Sequence, residues 1–209
     1  MAAMSLWPAA ATKREVRRLA RERRAVLAAA LRDSGGLAAA AEAIADAVLR
    51  FVPDRSRVAV YESLPDEPPT GRLVERLLVA GHEVIVPVVL DDFSLEWRYA
   101  AAGTSGNRGT VTRRQGEPDP QERASWLGTD ALAGCDLVVT PGLSVDPHGI
   151  RLGQGGGCYD RALVHRDPAA PVVTLLHEGE LSSTPLPHDA HDLPVDAVVT
   201  TTGRLVRTS

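Results

Sequence analysis

Apolar positions along this chain follow two periods, and they alternate from segment to segment. A helical period opens at Thr12, where Thr12-Lys-Arg-Glu15 has the capping-box form that satisfies the first free backbone donors of a helix. At 100° per residue, Val16, Leu19, Leu27 and Ala30 share one face, and Lys13, Arg17, Arg21 and Arg24 share the face beside it. A second helical stripe, Leu37, Ala41, Ile44, Val48 and Phe51, runs up to Pro53. A strand over 57–62 follows, then a loop over 63–70, and then a helix over 71–80 with Thr70 as its N-cap and Gly81 as its stop.

The second half repeats the alternation. Glu83 to Leu90 reads as a strand, with Pro87 marking a sheet edge or a strand end. Leu95-Glu-Trp-Arg-Tyr99 alternates as a short strand; Trp97 reads as core, although Trp97 and Tyr99 also offer flat surfaces for stacking on a heterocycle. Residues 100–130 lack periodicity and form a surface excursion containing Arg108, Arg113 and Arg114. Further strands are expected over 135–139, 170–176 and 196–200, with a helix over 159–165. Continuous apolar strands alternating with helices predict an α/β fold, a mostly parallel sheet with helices on both faces.

Composition narrows the class. The 209 residues are 44% hydrophobic and 24% charged, enough for one α/β domain over 12–209 behind a flexible extension over 1–11. Lys and Arg number 23 against 27 Asp and Glu, so a net charge of −4 argues against a general nucleic-acid surface. The apolar residues at the N-terminus precede the positive ones, the reverse of a secretory signal, and no 18-residue apolar run follows, so no membrane association is expected. Met4 is an alternative start. Two cysteines, Cys135 and Cys158, make no disulfide framework, and a reducing cytoplasm is the expected compartment.

The chemistry concentrates in Thr140 to Asp160, T-P-G-L-S-V-D-P-H-G-I-R-L-G-Q-G-G-G-C-Y-D, which follows an apolar strand and leads into a helix. Glycines let backbone N–H groups crowd around a polyanion, Arg151 adds a fork of donors suited to phosphate, and Asp160 puts a Mg²⁺-competent carboxylate beside them. Neither the dinucleotide fingerprint nor the G-K-[ST] ending of a Walker loop is present. Residues 13–24 carry seven basic and two acidic side chains, by composition a solvated helix face. His188, Asp189, His191 and Asp192 have metal-ligand chemistry, but their spacing is unlike the common zinc patterns.

This stretch resembles the signature of the 5-formyltetrahydrofolate cyclo-ligase (methenyltetrahydrofolate synthetase) family, P-G-L-x-F-D-x-x-G-x-R-L-G-x-G-x-G-Y-Y-D. The chain matches it with Pro141-Gly-Leu, Asp146, Gly149, Arg151-Leu-Gly, Gly155, Gly157 and Tyr159-Asp160. Val145 stands where the family usually has Phe, and Cys158 where it usually has the first Tyr. Lys13 with Arg17 is similar to the family's K-x-x-x-R helix; Tyr61, Ser63, Glu67 and Thr70 resemble its Y/F-x-S-x-x-x-E-x-x-T loop. Glu117-Pro118 resembles its E-P, and Pro187 with Asp192 its P-x-x-x-x-D.

The resemblance implies the fold shared by ribose-phosphate isomerase and CoA-transferase-like proteins. It also implies ATP-dependent cyclisation of 5-formyltetrahydrofolate to 5,10-methenyltetrahydrofolate. ATP would be bound by Lys13, Arg17, Arg151, Leu152, Gly153, Gln154, Gly155, Gly156, Gly157, Cys158 and Tyr159, with Lys13 and Arg151 catalytic. The folate would be bound by Glu62, Glu67 and the Gln154 to Cys158 backbone, and Mg²⁺ by Asp160 and Asp192. Arg14, Arg18, Arg21, Arg23 and Arg24 are left as surface charges, and a monomer or weak homodimer is expected. Two rival readings remain: a binding paralogue without turnover, and a nicotinamide-dependent oxidoreductase suggested by glycine content alone.

Overall fold

The computed structural model describes residues 6–8, 11–101, 120–189 and 192–208. In chain order its elements are α1 (Lys13–Asp33), α2 (Leu37–Leu49), β1 (Arg57–Val60), α3 (Gly71–Val79), β2 (Glu83–Val89), β3 (Leu95–Tyr99) and α4 (Pro120–Arg123). There follow β4 (Leu137–Pro141), β5 (Ser144–Val145), β6 (Arg151–Leu152), α5 (Cys158–Ala162), β7 (Val172–Leu176), β8 (Ala197–Thr200) and β9 (Leu205–Arg207). Seven strands form one sheet in the order β3-β2-β1-β4-β7-β8-β9, with β5 and β6 a separate hairpin. Neighbours from β2 to β8 run parallel, and β3 and β9 close the two edges antiparallel.

Every residue of β7 and β8 is buried. Successive side chains of a strand point to opposite faces, so unbroken burial means that both faces are covered, as parallel sheets require. On α2 the residues that enter the core are Ala40, Ile44, Ala45, Ala47 and Val48, and on α3 they are Leu73, Val74 and Leu77. Leu37, expected on the core stripe, is 40% exposed. The α1 helix packs elsewhere: Val16 and Ala20 join Trp7, Leu143, Leu152 and Leu186 in a smaller cluster. That cluster seats α1 on the hairpin that carries the glycine segment rather than on the sheet.

The capping box at Thr12 forms as the sequence indicates, with the Glu15 carboxylate accepting the Thr12 N–H at 2.8 Å. Thr70 does not cap α3 with its side chain. Its hydroxyl donates to Tyr61 O at 2.8 Å and accepts from Ser63 N–H, closing the 63–70 loop on itself. Pro87 lies in an interior strand, paired with Trp97 and two residues before β2 ends at Val89, so it marks neither a sheet edge nor the strand end. The bonds Leu90 N–H to Ser94 O and Ala100 N–H to Val84 O turn the even residues of β2 toward β3, so Pro87's missing donor faces β1. Pairing with β1 has already stopped at Ile85. The helix expected over 159–165 starts a residue earlier and tightens after Ala162 into a 3₁₀ turn at Leu163–His165.

The glycine segment is anchored by Asp146 and Gly149. The buried Asp146 carboxylate accepts the N–H groups of His148, Ile150 and Leu186 at 2.8–3.0 Å. Gly149 has φ +80°, and a Cβ there would lie 2.5 Å from Val195 O, so no other residue fits this turn. Val145, one of the two departures from the family signature, is fully buried in the main core and does not line the cavity described below.

Candidate active site

Strand order reverses at β1, which has β2 on one side and β4 on the other. In open α/β sheets, ligands settle in the crevice outside the carboxyl ends of the strands at such a point. A cavity of about 360 Å³ lies there. The chain leaving β1 contributes Tyr61, Glu62, Leu64 and Glu67 to it, and the end of β4 contributes Pro141 and Gly142. The β2–β3 hairpin supplies an apolar wall of Pro87, Val89 and Leu95. Arg17 and Arg24 come from α1, and Arg151 with Gly153 to Asp160 comes from the glycine segment. Asp189 and Asp192 complete the lining.

The cationic stripe of α1 lies along the glycine segment. Arg17 Nε donates to Gly153 O at 3.2 Å, and Arg21 reaches Gln154 Oε1 and Gln154 O at 2.9 and 2.5 Å. Lys13 Nζ pairs with Asp189 at 2.8 Å and with Asp192. Burial works against its charge, but the two carboxylates outweigh that and raise its pKa. Arg24, read from the sequence as a surface charge, is 4% exposed. Its Nε and Nη2 form a bidentate pair with Glu180 at 2.8 and 2.7 Å, and Nη2 also donates to Gly142 O. Helical spacing already set Arg24 in line with Lys13, Arg17 and Arg21; its partner has no local pattern that reveals it.

Arg151 is buried in the cavity wall. Its Nη2 donates to Asp160 Oδ1 at 2.6 Å and its Nη1 to Pro141 O at 3.2 Å, while its guanidinium carbon lies 5.7 Å from the Tyr159 ring centre. Arg151 Nε and the Tyr159 hydroxyl are buried without a hydrogen-bond partner. Burial pushes the Tyr159 phenol well above its usual range. It also raises the pKa of Glu67, despite the Leu64 N–H that donates to its carboxylate at 2.9 Å. Glu62 pairs with Arg98 at 2.9 Å. Burial raises the Cys158 thiol, so it is no thiolate nucleophile.

Of the residues singled out from the sequence, Arg17, Glu62, Glu67, Arg151, Gly153 to Asp160 and Asp192 line this one cavity. Lys13 does not line it but holds two residues that do. Leu152 points away into the cluster under α1. Trp97 is fully buried, edge-on to Tyr159 at 6.4 Å, and Tyr99 lies 46% exposed with its hydroxyl on Arg57, so neither offers a stacking face to the cavity. Arg108, Arg113, Arg114, Glu117, Pro118 and His191 lie outside the described residues.

A family model described as the 5-formyltetrahydrofolate cyclo-ligase family matches residues 9–201. The chain belongs to this cyclo-ligase family. A 5-formyltetrahydrofolate cyclo-ligase of Mycolicibacterium smegmatis is 32% identical over 150 residues, 68% of this chain and 72% of that protein. One from Escherichia coli K12 is 33% identical over 144 residues, 68% of this chain and 76% of that protein. The fold is shared with the 5,10-methenyltetrahydrofolate synthetases of Aquifex aeolicus (TM-score 0.62, 23% identity, 90% of this chain and 92% of that one) and Mycoplasma pneumoniae (TM-score 0.65, 17% identity, 90% and 98%).

The donor set of this cyclo-ligase suits magnesium better than zinc. Among the described residues no group of three or more His, Cys, Asp or Glu is gathered to cage a metal. Asp160 instead lines the cavity paired with Arg151, and Asp192 lines it sharing the Lys13 ammonium with Asp189. Magnesium keeps several waters and needs only one or two protein carboxylates when phosphate oxygens share its shell, so these residues fit it.

Proposed function

We propose that this cyclo-ligase converts 5-formyltetrahydrofolate to 5,10-methenyltetrahydrofolate with ATP and Mg²⁺, releasing ADP and phosphate, as one domain over 12–209 in the cytoplasm. The observation that carries the reading is one cavity lined by two kinds of surface. Glycine-segment backbone with Arg17 and Arg151 makes the first; an apolar hairpin wall with Glu62 and Glu67 makes the second. Phosphates suit the first and a flat, amide-bearing heterocycle the second. Two free cysteines agree with a reducing compartment, and among the described residues no helix is long and apolar enough to cross a membrane.

A formyl oxygen is a poor leaving group. Transfer of the γ-phosphoryl onto it makes phosphate the leaving group, and N10 then attacks the activated carbon. The protein's work is to position and to neutralise. Arg151 would meet charge that develops on the transferring phosphoryl group, Arg17 would hold the remaining phosphates against the glycine segment, and Lys13 would reach them on releasing Asp189 and Asp192. Magnesium at Asp160 and Asp192 would share phosphate charge. Glu67, whose pKa burial raises, would read the polar edge of the pterin.

The deciding experiment mixes protein, MgATP and 5-formyltetrahydrofolate and follows the absorbance of the methenyl product. Product formation is expected; tight binding of both substrates without product would instead establish a non-catalytic paralogue. Lys13→Ala is expected to raise the KM for ATP by about tenfold, in line with loss of a charged contact, and to leave the folate KM within about twofold. Unchanged ATP dependence would remove Lys13 from the phosphate site.

A further inference from the structure

Residues 63–70, which carry Glu67 into the cavity, form a loop that is closed on itself. Ser63 and Thr70 exchange hydrogen bonds, the backbone N–H of each donating to the other's hydroxyl, and the Tyr61 hydroxyl donates to Pro68 O at 2.9 Å. Glu67 N–H donates to Leu64 O and the Glu67 carboxylate accepts the Leu64 N–H, both at 2.9 Å. That carboxylate therefore moves with the loop as one body, and where the loop is held decides where Glu67 stands.

Beyond its junctions with β1 and α3, the loop is tied by hydrogen bonds from two side chains among the described residues. Arg32, in the last turn of α1, donates to Pro65 O at 2.9 Å and to Asp66 Oδ1 at 3.0 Å, but at the surface, where such contacts hold little. The other tie is internal. His177, 3% exposed, directly follows β7, and its Nε2 lies 2.9 Å from Asp66 O. A carbonyl only accepts, so Nε2 is the protonated nitrogen and the donor. Because β4 lies between β1 and β7, this bond joins the chain leaving β1 to a strand it does not pair with. His177 is in turn held by its N–H on Glu180 Oε2 at 2.8 Å, and Glu180 by the buried Arg24. Leu64 and Glu67 line the cavity, whereas His177 stands behind them.

We propose that His177 is a positioning residue of this site: by holding the Asp66 carbonyl it seats the 63–70 loop and so sets the Glu67 carboxyl against the folate. This rests on the folate reading of the cavity given above.

The test is His177→Leu, which fills similar space without a donor. Folate KM is expected to rise by about tenfold, the scale of one buried hydrogen bond, with the ATP KM within about twofold. His177→Gln, whose amide reaches to where Nε2 stands, is expected to keep the folate KM within about threefold of wild type. His177→Asn, polar but one methylene shorter, is expected to behave like His177→Leu and replaces it should that variant not fold. In a Glu67→Ala background, which raises the folate KM by itself, adding His177→Leu is expected to change it by less than about twofold, because the residue being positioned is gone. Calorimetric Kd values for 5-formyltetrahydrofolate give the same comparisons if turnover is absent. Unchanged folate binding in both His177→Leu and His177→Asn, or an effect that adds in full to that of Glu67→Ala, overturns the role of His177 alone. A wild type that neither binds nor converts 5-formyltetrahydrofolate overturns the folate reading and this proposal with it.

Discussion

Replacing Glu180 with alanine is expected to cost the fold about 3–5 kcal/mol, the penalty for leaving a buried guanidinium without its counter-charge. Arg24 and Glu180 have side chains 4% and 1% exposed, so water cannot take over the lost partner. Burial disfavours the charge on Arg24 and Glu180 offsets that cost, so the variant leaves it uncompensated, and a guanidinium does not lose its proton to escape it. The variant also strips an acceptor from the His177 N–H, which donates to Glu180 at 2.8 Å. The double variant Arg24→Met, Glu180→Leu is expected to recover most of that loss, because a buried pair is costly to break and cheap to replace whole. Denaturant melts of Glu180→Ala and of the double variant measure this directly; a Glu180→Ala loss below about 1 kcal/mol would place the pair among ordinary surface bridges.

That pair also marks the limit of what the residue pattern discloses. The Thr12 capping box and the alignment of Lys13, Arg17, Arg21 and Arg24 are local, spaced three or four residues apart, and helical geometry makes them legible before any fold is known. Glu180 lies 156 residues from Arg24, and nothing in a His-Glu-Gly-Glu run distinguishes a buried acceptor from a solvated one. The same division explains Thr70. Its place before a helix invites a cap, but Tyr61 O, nine residues back along a loop that folds on itself, takes the hydroxyl instead. Trp97 follows the strand period into the core, as β-alternation dictates. The glycine segment was the most legible part of the site because its function is written in backbone permissiveness.

The second large effect is expected at Arg151, in kcat rather than in stability. Its guanidinium already holds Asp160 Oδ1 and Pro141 O, which fixes its orientation in the cavity wall. A donor held in place before the ligand arrives loses no reorganisation energy during the reaction, and removing one such donor typically lowers kcat by about 10²–10³-fold. Arg151→Met is expected to show a loss of that size. Arg151→Lys is expected to recover only part of it, because an ammonium cannot span Asp160, Pro141 O and a ligand oxygen together. Stability should change less, since the Asp160 carboxylate left behind keeps 21% of its side-chain surface in water. Single-turnover measurements at saturating ATP and folate separate the possibilities. A loss confined to the ATP KM, with kcat within about threefold of wild type, would mean that Arg151 binds ground state and transition state equally and contributes uniform binding only.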